Sequence, residues 1–416
     1  MATSAASTAT ATPATATTAS PAPALRPLPV RPRRVLIGTD TYPPDVNGAA
    51  YFTHRLATGL AARGNEVHVI CASDGGPART EHADGVTVHR LRSAPLLVHP
   101  TMRISLPTRL DRLLDAIAPD VVHVQGHFVV GRAAIAAARR GGVPVVATNH
   151  FMPDNLFQFA HIPGPLRERA GALAWRDFNR VFSRADRITT PTPIAAGLLD
   201  RKGFASPVEP ISCGIDLARF HPRAEPRRWA REAFGLPDRD TVLFVGRLDE
   251  EKRLDELIRA MPYVLNGNDA QLALVGTGGQ RETLERLARR IGVGDHVSFL
   301  GFVPDGMLPQ AYAAADVFAM PGVAELQSIA TLEAMATGLP VVAADAMALP
   351  HLVRPGENGW LFAPGDVREL GRHLTALLGS PGQRTVMGAA SRAIALTHDH
   401  RTSLARFEEI YREVAR

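Results

Sequence analysis

The sequence is nearly devoid of cysteine and of lysine. Cys71 and Cys213 are its only cysteines, too few for a disulfide scaffold or a cysteine zinc cluster, and a reducing, cytoplasmic setting is expected. Of 46 basic residues only Lys202 and Lys252 are lysines. The rest are arginines, which stay charged at any working pH, so the pI reaches 9.7 although the formal net charge is only +5. Such a balance suits nucleotide phosphates, acidic lipid surfaces or nucleic acid without choosing among them. No run of about 18 uninterrupted apolar residues occurs, which excludes a membrane-spanning helix. What is present is 416 residues, 45% hydrophobic and 21% charged, ordinary globular proportions at a length that accommodates two or three domains.

Residues 1–34 are Ala, Thr, Ser and Pro with almost no large apolar side chains. This tail cannot bury enough surface to offset its ordering entropy and is expected to be disordered. It lacks the Leu-rich stretch of a secretory signal. Arg26, Arg31, Arg33 and Arg34 close it and are weak candidates for contact with an anionic surface.

From residue 35 on, strand and helix patterns alternate. Apolar β-rich runs are read at Val35–Gly38, Val67–Cys71, Val86–Leu91, Val121–Gln125, Pro144–Thr148, Arg187–Thr190 and Val208–Ser212. A second series follows at Thr241–Gly246, Gln271–Gly276, Val297–Leu300, Asp316–Met320, Pro340–Ala344 and Trp360–Phe362. Helical patterns between them predict parallel sheets covered on both faces. The expected fold is therefore α/β, with two doubly wound, Rossmann-like domains over 35–215 and 216–395 and a C-terminal helical stretch at 396–416.

In such sheets ligands sit beyond the carboxyl ends of the strands, and the unusual residues fall at that edge. Asp45-Val-Asn-Gly48-Ala and Gly276-Thr-Gly278-Gly are turns where backbone N–H groups could approach a phosphate. Gly246-Arg247 leads to Lys252, two cations five residues apart where a strand turns into a helix, suited to neutralising a departing diphosphate. A solvated turn, with Asp249, Glu250 and Glu251 pairing those cations, is the competing reading. Glu325 and Glu333 stand eight apart around Ser328, a natural N-cap for a helix over Ile329–Thr337, so Glu325 falls in the preceding loop and Glu333 inside the helix. Gln125-Gly-His127 and Asn149-His150 follow two other strands. Asp238-Arg-Asp240 lies at the wrong edge for a metal pair, and His398-Asp-His400 has nothing nearby in sequence to complete a site. Leu166–Ala185 reads as a basic amphipathic helix, either a core helix or one that also docks on an anionic membrane.

Taken together these motifs resemble the retaining glycosyltransferases of the GT-B fold, family 4, over nearly all of residues 35–416. The most specific match is Gly246-Arg-Leu-…-Glu251-Lys252, Gly276-Thr-Gly and Glu325-x7-Glu333 followed by Ala-Met-Ala-…-Gly338-Leu-Pro-Val-Val. Ser212-Cys-Gly-Ile-Asp216 is similar to the family's Asn-Gly-Ile-Asp hinge, whereas Asn47-Gly48 stands where the family usually has two glycines. The resemblance implies a central cleft between an acceptor-binding and a nucleotide-sugar-binding domain. It assigns Arg247 and Lys252 to the donor diphosphate together with Gly48, Glu325 to hydroxyls of the transferred sugar, and Glu333 to the ribose. Gly246, Gly276, Gly278, Ser328 and Ile329 complete the expected donor site, and His150 is placed near sugar and acceptor, with Asp45 and His127 towards the acceptor. His150, Arg247, Lys252 and Glu325 are the candidate catalytic group. The implied chemistry is transfer of a hexose from a UDP- or GDP-sugar to a hydroxyl, without metal or other cofactor and with retained configuration. Asn149-His-Phe-Met-Pro153 and the basic helix are most similar to members that glycosylate lipids. A lipid acceptor, a place peripheral to the inner face of the plasma membrane and no nucleic-acid partner are expected.

Three rival classes stay open. An NAD oxidoreductase fits doubly wound sheets, but the first strand leads into Thr39-Asp-Thr-Tyr-Pro-Pro44 rather than Gly-x-Gly-x-x-Gly. A sugar phosphorylase or epimerase of the same architecture is the second; a phosphorylase would need one of the two lysines for a Schiff base. A nucleotide-sugar sensor without activity is the third.

Overall fold

The computed structural model describes residues 32–45, 47–75, 77–96, 99–106, 110–152, 164–204 and 206–415. Residues 1–31 of the tail and 153–162 of the proline-bounded loop lie outside them. Two large sheets organise the chain. The first holds β1 (Arg34–Gly38), β2 (Glu66–Ala72), β3 (Arg79–Ala83), β4 (Val86–Leu91), β7 (Val121–Val124), β8 (Val145–Thr148), β9 (Arg187–Thr190) and β10 (Val208–Pro210), in the order β10-β9-β8-β7-β1-β2-β4-β3. The second holds β11 (Asp240–Val245), β12 (Ala270–Val275), β13 (Val297–Gly301), β14 (Val317–Met320), β15 (Val341–Ala344) and β16 (Gly359–Phe362), in the order β13-β12-β11-β14-β15-β16.

Each sheet reverses its strand order at its first strand. Val35 registers with Val67 on one side and Val121 on the other, and Val242 registers with Leu272 and Val317. Such reversals open a crevice at the carboxyl edge. The loop after β11 carries Arg247 and Lys252, the loop after β14 carries Glu325, and the two strands are neighbours. Two Rossmann-like sheets of this kind are the GT-B architecture.

The helices lie between strands. In the first half these are α1 (Gly48–Ala62), α2 (Leu110–Ile117), α3 (Val129–Arg140), α4 (Gly164–Phe182) and α5 (Pro193–Arg201). In the second they are α6 (Arg227–Ala233), α7 (Leu254–Leu265), α8 (Arg281–Arg290), α9 (Leu308–Ala313), α10 (Ile329–Ala336), α11 (Leu349–Leu352), α12 (Val367–Leu378) and α13 (Pro381–Leu396), before the final α14 (His400–Val414). Alternation along β1 sorts its side chains. Leu36 joins Val122, Val145 and Phe178 of α4 on one face, and Val35 and Ile37 join Phe52, Leu56 and Leu60 of α1 on the other. A separate core over the second sheet gathers Phe244, Leu272, Phe318 and Val342.

Two features depart from a purely parallel reading. β3 runs antiparallel to β4, and β5 (Ser93–Leu96) with β6 (His99–Ser105) forms an antiparallel ribbon of its own. The C-terminal stretch, which the sequence leaves without a partner, returns to the first sheet. Phe407, Ile410 and Tyr411 of α14 are buried in the core of β1 and α1, and the Tyr411 hydroxyl lies 2.6 Å from Nδ1 of His123 on β7. Burying a Phe407-sized side chain is worth about 2–3 kcal/mol, so α14 ties the two halves together. The His398-Asp399-His400 run belongs to this crossover: His398 meets the Ser212 hydroxyl at 2.8 Å, and Asp399 caps α14.

Candidate active site

The loop from β11 lies against glycines of the loop from β12 at two close approaches. A Cβ at Gly276 would stand 1.9 Å from the Gly246 carbonyl oxygen, and one at Gly278 would stand 2.5 Å from that of Leu248. Gly276 also has φ +130, a conformation that L side chains rarely adopt. These glycines are therefore explained first by backbone lying on backbone, which fixes the segment carrying the cations. Leu248 is fully buried and its amide donates to the Thr277 carbonyl at 2.9 Å. Beyond it, Glu250–Lys252 makes one 3-10 turn.

The competing reading of this turn holds in part. Arg247 pairs with Asp249 at 2.5 Å and with Glu251 at 2.9 Å. The turn is nonetheless not solvated around Lys252, whose side chain is 15% exposed and pairs with Glu325, itself 12% exposed, at 2.5 Å. Glu251 stands between the cations, 3.7 Å from the Lys252 ammonium. Burial works against that ammonium, but Glu325 and then Glu251 outweigh it and hold Lys252 above the ordinary lysine range. Gly322 leaves room for the pair: a Cβ there would come within 3.4 Å of both Glu325 Oε1 and the Lys252 chain.

Beside this pair α10 begins. The Ser328 hydroxyl accepts from the Thr331 amide at 3.3 Å, the N-cap expected from its residue type. Gly48, at the start of α1, faces Ile329 at the start of α10, with 4.0 Å between a Cβ built there and Ile329 Cδ1. Asn47, where a second glycine was expected, caps α1 by accepting from the Ala50 amide at 2.9 Å. The segment Leu326–Ile329 is locked onto the first half. Leu326 and Ile329 pack into its two cores, Gln327 Oε1 accepts from the Cys213 amide at 2.6 Å, and the Leu326 carbonyl accepts from the Thr192 hydroxyl at 2.9 Å.

Glu333 lies one turn along α10, 8% exposed, and accepts from the Tyr312 hydroxyl of α9 at 2.8 Å. Burial raises its carboxyl above the usual range, opposed by Arg55, the Tyr312 hydroxyl and Arg219. Tyr312, Gln327 and Arg55 were not singled out by the sequence. Their residue types fit any polar helix or loop position, and only long-range packing brings Tyr312 to Glu333 and Gln327 to Cys213.

The remaining predicted residues sit at the carboxyl edge of the first sheet. His150 Nε2 donates to Gln125 Oε1 at 2.9 Å, and its ring packs 4.6 Å from Phe52. Burial pushes its pKa down to about 4, so the ring is neutral at pH 7. His127 is 5% exposed and packs against Phe128 and Phe178 at 4.3 and 4.4 Å; burial pushes it too to about 4. Among the described residues its Nδ1 and Gln125 Nε2 are buried without a hydrogen-bond partner, so polar capacity is left at this edge. Asp45 accepts from the Tyr42 amide at 3.3 Å, and burial raises its pKa. Arg247, Lys252, Glu325, Ser328, Ile329 and Gly48 are thus brought into one neighbourhood, with Glu333 behind them. Asp45, His127 and His150 are held by separate contacts of the first sheet. Of the metal alternatives, Asp238 pairs with Arg231 at 2.7 Å.

Fixed positive charge beside a capped helix N-terminus, with carboxylates next to it, suits a diphosphate joined to a polyhydroxylated group. The fold and this crevice define a nucleotide-sugar-handling enzyme of GT-B architecture. Family comparison gives the same class: residues 46–219 match the model described as glycosyltransferase family 4, and residues 227–394 match that of glycosyl transferases group 1. The chain is 30% identical to a D-inositol 3-phosphate glycosyltransferase of Streptomyces scabiei over 92% of its own length and 91% of the relative. It is 38% identical, over 59% of its length and 72% of the relative, to a GDP-mannose-dependent alpha-(1-6)-phosphatidylinositol monomannoside mannosyltransferase of Mycolicibacterium smegmatis. A sucrose-phosphate synthase structure from Thermosynechococcus elongatus superposes with TM-score 0.74 at 22% identity, covering 92% of this chain and 99% of that one. The chain belongs to the family 4 glycosyltransferases, and it is a hexosyltransferase that uses a nucleotide-sugar donor.

Proposed function

We propose that the protein transfers a hexose from a UDP- or GDP-sugar to the hydroxyl of a membrane lipid with retention of configuration, and that it does so without a metal. The observation that carries this reading is the buried Lys252–Glu325 pair, with Arg247 beside it and the α10 N-terminus next to it. In the proposed reaction the bond from the anomeric carbon to the diphosphate oxygen breaks, and its electrons leave with the diphosphate. Arg247 and Lys252 neutralise that charge from fixed positions, the work a metal does elsewhere. The acceptor oxygen forms the new bond and its proton leaves to the departing phosphate oxygen. Glu325 orients hydroxyls of the hexose, and Glu333 those of the ribose. His150, neutral and anchored by Gln125, offers hydrogen bonds near the reacting sugar rather than a charge.

Support for a lipid acceptor comes from the mannosyltransferase relative, whose name specifies a phosphatidylinositol monomannoside, and from α4. Its Trp175, Phe178 and Phe182 are buried while Leu173 is 63% exposed, and Arg169, Arg176, Arg180 and Arg184 lie on the exposed side. No helix among the described residues is long and apolar enough to cross a membrane, so the proposed association is peripheral, at the inner face of the plasma membrane. The test is a panel of UDP- and GDP-hexoses with EDTA present, in which each donor is offered lipid and soluble acceptors with and without anionic vesicles. Expected is metal-free transfer to a lipid, with a product whose anomeric configuration, read from the one-bond C1–H1 coupling, matches the donor's. Transfer only to soluble acceptors, an inverted product or dependence on added metal would each remove the corresponding part.

A further inference from the structure

Arg55 is an unusual arginine. It sits mid-way along α1, and its Nε and Nη2 are buried without a hydrogen-bond partner among the described residues. Among the described residues no carboxylate lies within ion-pair distance of it. Two buried N–H-bearing nitrogens left without a partner on a half-buried arginine are costly, and the arrangement around them indicates what they serve. The starts of α1 and α10 face one another at Gly48 and Ile329. From there Phe52 and Arg55 continue one side of α1, and Glu333, four residues on from Ile329, continues the same side of α10.

We infer that Arg55 is a positioning residue of the donor site, reaching from the first domain towards the buried Glu333 and keeping that side chain a carboxylate able to accept from two sugar hydroxyls at once. The inference rests on the reading of Glu333 given above. A protonated Glu333 would have one oxygen occupied as a donor and would hold a diol less well. The charged and titratable groups around Glu333 are Arg55 and Tyr51 of α1, Tyr312 of α9, Arg219 of the connection into the second sheet, and Asp305 of the 3-10 turn Asp305–Met307. Tyr312 already gives its hydroxyl to Glu333, and Arg219 is engaged with Asp305 at 2.5 Å. Among the described residues, Arg55 is the cation of this group whose Nε and Nη2 are both buried without a hydrogen-bond partner.

The test is calorimetric titration of UDP and of GDP into the full chain between pH 5 and 8, without acceptor. Wild type is compared with Arg55→Met, Arg55→Lys, Glu333→Gln and the double variant Arg55→Met/Glu333→Gln. An opposite charge nearby lowers a carboxyl pKa by roughly one to three units. Removing it should therefore shift the acid limb of nucleotide binding upward by about one unit, with roughly tenfold weaker binding on that limb. Arg55→Lys should restore the wild-type profile, and the double variant should bind no worse than Glu333→Gln. If Arg55→Met fails to fold, Arg55→Gln reads the same way. Weakened binding in Glu333→Gln with an unchanged profile in Arg55→Met overturns this inference alone, as do additive losses in the double variant. Wild-type affinity in Glu333→Gln, or no binding of either nucleotide to the wild type, overturns the ribose reading and this inference together.

Discussion

Replacing Lys252 by methionine separates the ion pair its ammonium makes from the leaving-group role proposed for it. In the folded chain it neutralises Glu325 at 2.5 Å in a pocket where both side chains are nearly covered. Breaking a buried pair by removing one partner typically costs about 3–5 kcal/mol, because the other charge is left behind. Some of that is softened here, since Glu251 is itself paired with Arg247. Removing both charges, as in Lys252→Met/Glu325→Gln, leaves no orphan, and the double variant should regain most of the lost stability. Catalysis should behave differently. Loss of one fixed group facing developing negative charge costs about 10²–10³ in turnover, and the uncharged pair cannot restore it. The assay is release of UDP or GDP during transfer, read beside the melting midpoint of each variant. Stability should therefore recover in the double variant while turnover stays at least about a hundredfold down. Turnover within a factor of ten of wild type in folded Lys252→Met, or recovered in the double variant, would refute the assignment of Lys252 to the leaving group.

Other perturbations test the frame around the site. Gly276→Ala and Gly278→Ala drive a Cβ into backbone oxygens at 1.9 and 2.5 Å and should each cost more than about 2 kcal/mol by denaturant titration, whereas Gly279→Ala, which meets nothing within 4 Å, should stay within about 0.5 kcal/mol. Gln327→Ala removes the acceptor of the Cys213 amide and should cost about 1–3 kcal/mol, with faster amide exchange at Cys213. The buried histidines set the acid limit of stability. Burial pushes His123 to about 3 and His127 and His150 to about 4. Their unfolded forms bind protons first as pH falls, so the stability they confer is complete above about pH 6.5 and is lost progressively towards pH 4. Chemical denaturation from pH 7 to 4 should show that decline, and His150→Gln should make it shallower.

Much of this was legible because parallel strands buried on both faces read as short apolar runs. Val121–Val124 and Val341–Ala344 are apolar or nearly so from end to end, and their ends mark the edge where Arg247, Lys252 and Glu325 stand. The polar edge strand Arg79–Ala83 carries no such signal, being exposed or half-exposed along its length, and the β5–β6 ribbon gave no apolar alternation to find. The placement of α14 could not be read either, since Tyr411 meets His123 across 288 residues of chain. Within the site, residues at turns were visible because charge there lacks a local reason. Tyr312 and Arg55 lie within helices, where a polar residue looks like a solvent face until a second element is packed over it. At Gly276 and Gly278 the sequence points to a ligand's backbone approach, and the fold adds a second reason for glycine there, since the protein's own backbone lies against both.

A structure of the chain with a UDP- or GDP-hexose bound examines the central claim most directly. The account predicts diphosphate oxygens within about 3 Å of the Lys252 ammonium, the Arg247 guanidinium and a backbone amide of the first turn of α10, with Glu325 on the hexose. A donor bound with its diphosphate away from these groups, or with Lys252 still paired only to Glu325, would contradict it.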